Sequence, residues 1–179
     1  MTHPLVWDDR GNGLLKGVEY RASPNCDERP ANATVDTVIL HFISVPERCF
    51  GGRGIVDLFS NTLDCTRPET AHLAGLRVSA HFLITRDGGL IQFVPCGLRA
   101  WHAGVSRWRG RPRCNDFSVG VEIEGCADLP FESAQYETLE RVLAALRARY
   151  PVSAVVGHEH VAPGRKNDPG PCFDWSRVG

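Results

Sequence analysis

The stretch Val35-Asp36-Thr37-Val38-Ile39-Leu40-His41-Phe42-Ile43 sets the fold of this chain. It is rich in β-branched residues, which suit a pleated and buried backbone, so it predicts a buried strand. His41 follows the apolar run near the end of this strand. An imidazole there needs a partner, because burying it unpaired costs about 1–3 kcal/mol. Metal ligation would satisfy it, and a strand end holds a ligand rigidly.

The remaining elements complete a mixed pattern of strands and helices. Residues 117–124 alternate strictly between apolar and other residues, which predicts a strand with one apolar face. Two strand-like runs on either side of Asp87-Gly88 predict a hairpin. Helices are predicted over residues 53–64, 69–76 and 133–149, with Ser133 as the N-cap of the last. The predicted fold class is α/β, with a mixed central β-sheet flanked by helices.

Length and composition narrow the class of protein. At 179 residues, 42% hydrophobic and 23% charged, the chain is expected to form one soluble domain spanning residues 1–179. A formal net charge of −1 argues against binding to nucleic acid or to an anionic membrane. There is no apolar run of about 18 residues and no visible signal peptide, which predicts a cytoplasmic protein. The 7 cysteines are odd in number and lack Cys-x-x-Cys spacing, so they are interpreted as mostly free thiols.

Two irregular segments carry candidate chemistry. Residues 95–116 are rich in Gly, Arg and Trp without any period, which is typical of a long functional loop. Residues 157–170 place His158 and Asp168 among Pro and Gly, which predicts a loop without regular structure. With His41 these two residues would give two imidazoles and one carboxylate, leaving a fourth position open, as in catalytic zinc sites. His160 is excluded because in extended backbone it would point away from His158.

Three further polar residues have two interpretations each. Glu122 and Glu124 lie on the face of their strand opposite the apolar residues, where they are either solvated or aimed at a reacting water as a general base. The strand pattern does not choose between the two carboxylates. Lys166, near Asp168 in sequence, is either a surface lysine or a cation that stabilises a developing oxyanion.

Taken together, these segments resemble the AmpD family of cytoplasmic 1,6-anhydro-N-acetylmuramyl-L-alanine amidases, which are zinc amidases related to peptidoglycan-recognition proteins. The resemblance covers nearly the whole chain. Each segment alone is a weak signal, but their shared order is specific. The segments that carry it are residues 23–26, 77–81, 99–106, 114–125 and 162–170.

The resemblance implies roles for individual residues. It assigns a single Zn²⁺ to His41, His158 and Asp168, and it selects Glu122 over Glu124 as the catalytic carboxylate. Lys166 would stabilise the tetrahedral intermediate. The substrate would be a soluble anhydromuropeptide recovered in peptidoglycan recycling, with an indirect effect on β-lactamase induction, and the protein is expected to be a monomer. Trp101 would contact the anhydro-sugar, and the carboxylates of the stem peptide would be bound by Arg77 and Arg113.

One departure and two alternatives accompany this assignment. The family usually has Asn after the first zinc histidine, whereas Phe42 stands here and cannot offer the amide. A non-catalytic peptidoglycan-recognition module would typically lack one metal ligand, and all three candidates are present. A phage-type amidase acting on intact wall would need no signal peptide, but the long segment 95–116 fits a deep pocket better than an open groove.

Overall fold

The computed structural model describes residues 4–9 and 12–178. Ten strands and three α-helices, with short 3₁₀ turns between them, make up the described chain. The strands are β1 Glu19–Tyr20, β2 Cys26–Glu28, β3 Thr37–Ile43, β4 Phe82–Ile84, β5 Leu90–Gln92, β6 Leu98–Ala100, β7 Arg107–Trp108, β8 Arg111–Pro112, β9 Ser118–Glu124 and β10 Ala154–Gly157. The helices are α1 Gly54–Phe59, α2 Ser133–Arg149 and α3 His158–Val161.

The main sheet has six strands in the order β1-β5-β4-β9-β3-β10. Only the β4–β5 pair is antiparallel, and the other neighbours run parallel. Two small antiparallel pairs, β2 with β6 and β7 with β8, lie outside this sheet. The predicted α/β class with a mixed central β-sheet is confirmed.

Strands β3 and β9 are neighbours inside the sheet, and their side chains point to both of its faces. All seven residues of β9 are buried. Val119, Val121 and Ile123 belong to the cluster that packs against α2, together with Val38 and Leu40 of β3. The opposite face of β9 was expected to be open to solvent if its carboxylates had no function. It is instead covered by the segments that build the site, because parallel strands near the middle of a sheet are enclosed on both faces.

Helix α2 covers the apolar face and agrees with the predicted range. Its buried stripe includes Leu139, Val142, Leu143 and Leu146. The predicted N-cap is wrong by one residue, since Ser133 is the first helical residue and Glu132 has the extended backbone of the cap. The side chain of Gln135 accepts the Glu132 backbone N–H at 3.0 Å, as the third helical residue of a capping box does for the cap residue.

Elsewhere the regular elements are shorter than predicted. The hairpin around Asp87-Gly88 forms between β4 and β5, and its strands are three residues each. Of residues 53–64 only α1 is helical, and of residues 69–76 only a 3₁₀ turn at Ala71–Leu73. Residues 95–116 were expected to lack regular structure, yet they contain β6, β7 and β8. Cross-strand pairing over two or three residues is too short to leave a readable period in the sequence.

No helix among the described residues is long and apolar enough to cross a membrane. All 7 cysteines are free thiols. The residues read for a signal peptide include 1–3 and 10, which lie outside the described residues.

The packing of α2 on the sheet can be tested with one substitution and a control on the same helix. Leu139 is fully buried in the core cluster between α2 and the sheet, so Leu139→Ala leaves a cavity and should destabilise the protein by roughly 2–5 kcal/mol. Glu137→Ala, at an exposed position of α2, should change stability by less than about 0.5 kcal/mol. Urea unfolding followed by circular dichroism measures both. Equal losses for the two variants would contradict the assigned face of the helix.

Candidate metal centre and active site

Two imidazoles and one carboxylate meet at the carboxyl ends of the central strands. His41 Nδ1 lies 2.8 Å from Asp168 Oδ2 and 3.0 Å from His158 Nδ1. His158 Nδ1 lies 3.0 Å from the same Asp168 oxygen. Three lone-pair-bearing atoms this close need a proton or a cation among them. Among the described residues, these three form the group that could hold a metal ion, and all three are buried.

The sheet topology explains why residues so distant in sequence meet. His41 lies near the carboxyl end of β3, and His158 follows directly after β10, which pairs with β3 in parallel. Because parallel neighbours end at the same edge, the two side chains are brought together. Asp168 is held at this edge by its own backbone, since its carbonyl accepts the Glu159 N–H at 2.9 Å.

The segment after β10 is more regular than the sequence indicated. His158 to Val161 form a single helical turn, α3, where a loop was expected. His160 lies outside the ligand cluster, but the reason differs from the predicted one, because its backbone is helical rather than extended. Its Nδ1 accepts the Gly157 N–H at 2.8 Å and so caps the start of the turn.

Burial and mutual hydrogen bonding set the charges in the cluster. Burial lowers the pKa of His41 to about 4, against the opposing effect of its hydrogen bond to Asp168, so the ring is neutral near neutral pH. Burial alone would raise the pKa of Asp168. The hydrogen bonds with His158 and His41 outweigh it and hold that pKa well below its usual range. A neutral imidazole beside an ionised carboxylate is the protonation state that metal ligation requires.

Glu122 lies beside this cluster in the sheet. It is the partner of His41 in the β3–β9 register, and both side chains are on the site face. Its Oε2 is buried and has no hydrogen-bond partner among the residues that the structure describes. Burial, followed by the nearby charge of Asp168, raises the pKa of Glu122 well above its usual value, and Lys166 partly opposes this. A buried carboxylate with one unused oxygen is a suitable proton acceptor for a reacting group placed beside it.

Glu124 is also buried, at 2% exposure, but both of its oxygens are occupied. Oε1 accepts the Gly51 N–H at 2.7 Å, and Oε2 accepts the Arg86 N–H at 2.9 Å. The interpretation of the two carboxylates as solvated is therefore wrong for both. Their contacts separate them, because Glu124 binds backbone whereas Glu122 keeps a free oxygen.

A cavity of about 620 Å³ opens in front of the cluster. His41, Glu122, His158, Lys166 and Asp168 all line it, so the structure brings together the predicted ligands and both predicted catalytic residues. Lys166 is exposed on its wall. Apolar side chains supply much of the remaining lining: Val45, Leu58, Phe59, Leu73, Leu76 and Val78.

Phe42, which replaces the family asparagine, also lines this cavity. It is half-buried and packs against the cluster of residues beneath α2. The position therefore adds an apolar surface beside the ligand cluster in place of an amide.

The three residues expected to contact substrate lie outside the cavity lining. Arg77 is exposed, and Arg113 is exposed with an ion pair to Asp116 at 3.2 Å. Trp101 is half-buried, and it contributes to the lowered pKa of Asp27, after the hydrogen bond of that carboxylate with Arg99, which is the largest cause. Their roles stay predictions.

One feature of the cavity had no signal in the sequence. Arg48 and Asp128 form an ion pair of 2.5 Å at its rim, between the loop after β3 and the loop after β9. The two residues are 80 positions apart and neither belongs to a recognisable motif. Only the parallel register of β3 and β9, which brings the two loops to one edge, could have placed them together.

Comparison with known proteins agrees with this geometry. Residues 31–171 match the family model of N-acetylmuramoyl-L-alanine amidase. The chain is 49% identical over 168 residues to the 1,6-anhydro-N-acetylmuramyl-L-alanine amidase AmpD of Escherichia coli (strain K12), covering 92% of each chain.

Two solved structures show the same fold. A crystal structure of a selenomethionine AmpD derivative superposes with a TM-score of 0.92 at 47% identity, covering 96% of each chain. A complex of the E. coli amidase AmiD with anhydro-N-acetylmuramic acid-L-Ala-D-gamma-Glu-L-Lys has a TM-score of 0.58 at 29% identity, covering 86% of this chain and 64% of that one. The chain belongs to the N-acetylmuramoyl-L-alanine amidase family.

Proposed function

We propose that this protein is a zinc-dependent amidase that hydrolyses the amide between the lactyl group of N-acetylmuramic acid and L-alanine in soluble 1,6-anhydromuropeptides. The observation that carries the proposal is the unpartnered buried oxygen of Glu122 beside the His41, His158 and Asp168 cluster. A free general base next to a three-ligand site is the arrangement that amide hydrolysis needs.

The ligand set fits Zn²⁺. Two imidazole nitrogens and one carboxylate oxygen are ligands that zinc accepts, and three protein ligands leave a fourth position for chemistry. Bound there, zinc would act as a Lewis acid on the scissile carbonyl and lower the pKa of the attacking water.

The protein's own groups would then move the protons and balance the charge. Glu122 would accept the proton of the attacking water at Oε2, the atom that has no other partner. It would return that proton to the departing amine of alanine, so that the carboxylate is regenerated. Lys166, on the wall of the same cavity, would place its ammonium near the oxyanion of the tetrahedral intermediate.

The substrate class is supported by the relatives and by the shape of the site. The related AmpD proteins are named for the 1,6-anhydro-N-acetylmuramyl-L-alanine bond, and the AmiD complex contains an anhydromuropeptide. A cavity of about 620 Å³ with an apolar wall suits one small fragment. Trp101, Arg77 and Arg113 would contact the anhydro-sugar and the stem-peptide carboxylates.

The proposal extends to the biology of the protein. Residues 1–179 would form one monomeric, cytoplasmic domain that acts in peptidoglycan recycling and thereby lowers the muropeptide signal for β-lactamase induction. All three candidate ligands converge, which argues against a non-catalytic recognition module that lacks one. The alternative, a phage-type amidase acting on intact wall, would be revealed by cleavage of intact sacculi.

Substrate and metal dependence can be tested together. The purified protein is incubated with anhydro-N-acetylmuramyl tripeptide and, separately, with intact sacculi, and released products are followed by mass spectrometry. We expect cleavage of the tripeptide, loss of activity with a chelator, and recovery on adding about one equivalent of Zn²⁺. Cleavage of sacculi but not of the tripeptide would overturn the recycling assignment, and activity that resists the chelator would remove zinc from the mechanism.

The two carboxylates of β9 form a matched pair for testing the general base. Glu122→Gln removes the proton acceptor without breaking a hydrogen bond, so turnover should fall by roughly 10²–10⁴-fold while bound zinc stays near one equivalent. Glu124→Gln weakens the acceptance of two backbone N–H groups, so it should cost about 1–3 kcal/mol of stability and change turnover only several-fold. Turnover, zinc content and melting temperature are measured for both. The reverse pattern would show that Glu124 is the base.

A further inference from the structure

The second nitrogen of each histidine ligand is also occupied, and both partners come from one loop. His41 Nε2 lies 3.0 Å from His102 Nδ1. His158 Nε2 lies 3.0 Å from the carbonyl oxygen of Ala103. Two adjacent residues of the loop after β6 therefore contact the Nε2 atoms of both imidazoles, on the side away from the candidate metal site. A neutral imidazole carries a proton on one nitrogen and a lone pair on the other. The contacts of the Nε2 atoms therefore influence whether each Nδ1 has a lone pair for the metal.

We propose that His102 is a positioning residue: when a metal takes the place of the proton between His41 Nδ1 and Asp168, His102 accepts the Nε2 proton of His41 and so holds the tautomer whose Nδ1 lone pair binds the metal. The inference rests on the proposed function, because it takes His41 as a zinc ligand. It goes beyond it by giving a role to a residue of the cavity wall that is not one of the three candidate ligands.

The hydrogen bonds behind His102 determine which way its ring must be protonated. Ser118 Oγ donates its single proton to the Cys114 carbonyl at 2.7 Å. The same oxygen lies 3.3 Å from His102 Nε2, where it can now only accept. His102 therefore carries its proton on Nε2 and presents a lone pair on Nδ1 to His41. The series runs in one direction, from His41 through His102 and Ser118 to a backbone carbonyl that cannot donate.

The packing around His102 prevents the ring from turning away from this arrangement. His102 is 8% exposed, and its ring meets that of His41 edge-on, with centroids 5.1 Å apart. Gly120 makes room for it on the site face of β9, since a Cβ at that position would lie 2.4 Å from His102 Cγ. Ser118, Gly120 and Glu122 therefore share one face of β9. Ser118 hydrogen-bonds His102, and Gly120 leaves room for its ring.

The partner of His158 needs no such relay. A carbonyl oxygen is always an acceptor, so Ala103 favours the His158 tautomer with its proton on Nε2; Arg165 Nη2 lies 3.3 Å from the same nitrogen, but it already donates to two carbonyl oxygens. Arg165 holds the loop in place by donating to the carbonyl oxygens of Ala103 and Val105, both at 2.7 Å. An imidazole, by contrast, can donate or accept, which is why His102 requires Ser118 behind it.

Two substitutions of equal shape separate hydrogen bonding from packing. Asn and Leu have the same branched outline, but only Asn carries an acceptor, Oδ1, at the position of the imidazole Nδ1. Zinc affinity of the full chain is measured by competition with a chromogenic chelator. His102→Asn should bind Zn²⁺ within about threefold of the unaltered protein, whereas His102→Leu should bind it roughly 10–100-fold more weakly. Equal losses in the two variants, or no loss in His102→Leu, would overturn the proposal.

A second measurement needs no variant, so it tests the proposed tautomers of His41 and His102 even if His102→Leu does not fold. Long-range ¹H–¹⁵N NMR correlations identify which ring nitrogen of each histidine is protonated in the zinc-loaded protein. We expect Nε2–H for both His41 and His102. A proton on Nδ1 of His102 would overturn the proposal, because that nitrogen could not then accept. Failure of the proposed metal site gives a different result, namely that the unaltered protein binds no zinc at all.

Discussion

The parallel pairing of β3 with its neighbours β9 and β10 is the constraint on which the rest of the site depends. Parallel strands end at a common edge, so one register brings a residue of each strand to the same place. His41 lies beside Glu122 in this register, and His158 follows the adjacent end of β10. Asp168 then needs only a short turn to reach the imidazoles. The sheet therefore assembles ligands and base from sequence positions that are far apart.

Burial gives these polar groups their chemistry. In water His41 would be partly protonated near neutral pH and Glu122 fully ionised, and neither would differ from an ordinary surface residue. Enclosed between the sheet and the covering loops, the histidine is neutral and the glutamate has a raised pKa. The contacts that remain are few and specific, so a small number of hydrogen bonds decides which atoms face the cavity.

The sequence predicts the longer strands of the main sheet, but neither the strands of two or three residues outside that pattern nor which face of β9 is covered. Alternation in residues 117–124 identifies β9, but which face is covered depends on α2 and on distant loops that alternation does not encode. Family resemblance selected Glu122, and the structure adds a physical distinction in the free oxygen that Glu124 lacks. The helical turn at His158 escaped prediction because its start is capped by His160 and Gly157, a contact that strand periodicity cannot signal.

The ion pair between Arg48 and Asp128 makes the rim of the cavity sensitive to salt, unlike the buried ligand cluster. Both side chains are more than half exposed, so water and dissolved ions screen their attraction, and such pairs add little to stability. The ligands below are held by buried hydrogen bonds and respond weakly to salt. Added salt therefore weakens the ion pair at the rim and leaves the buried contacts among the candidate ligands largely unchanged.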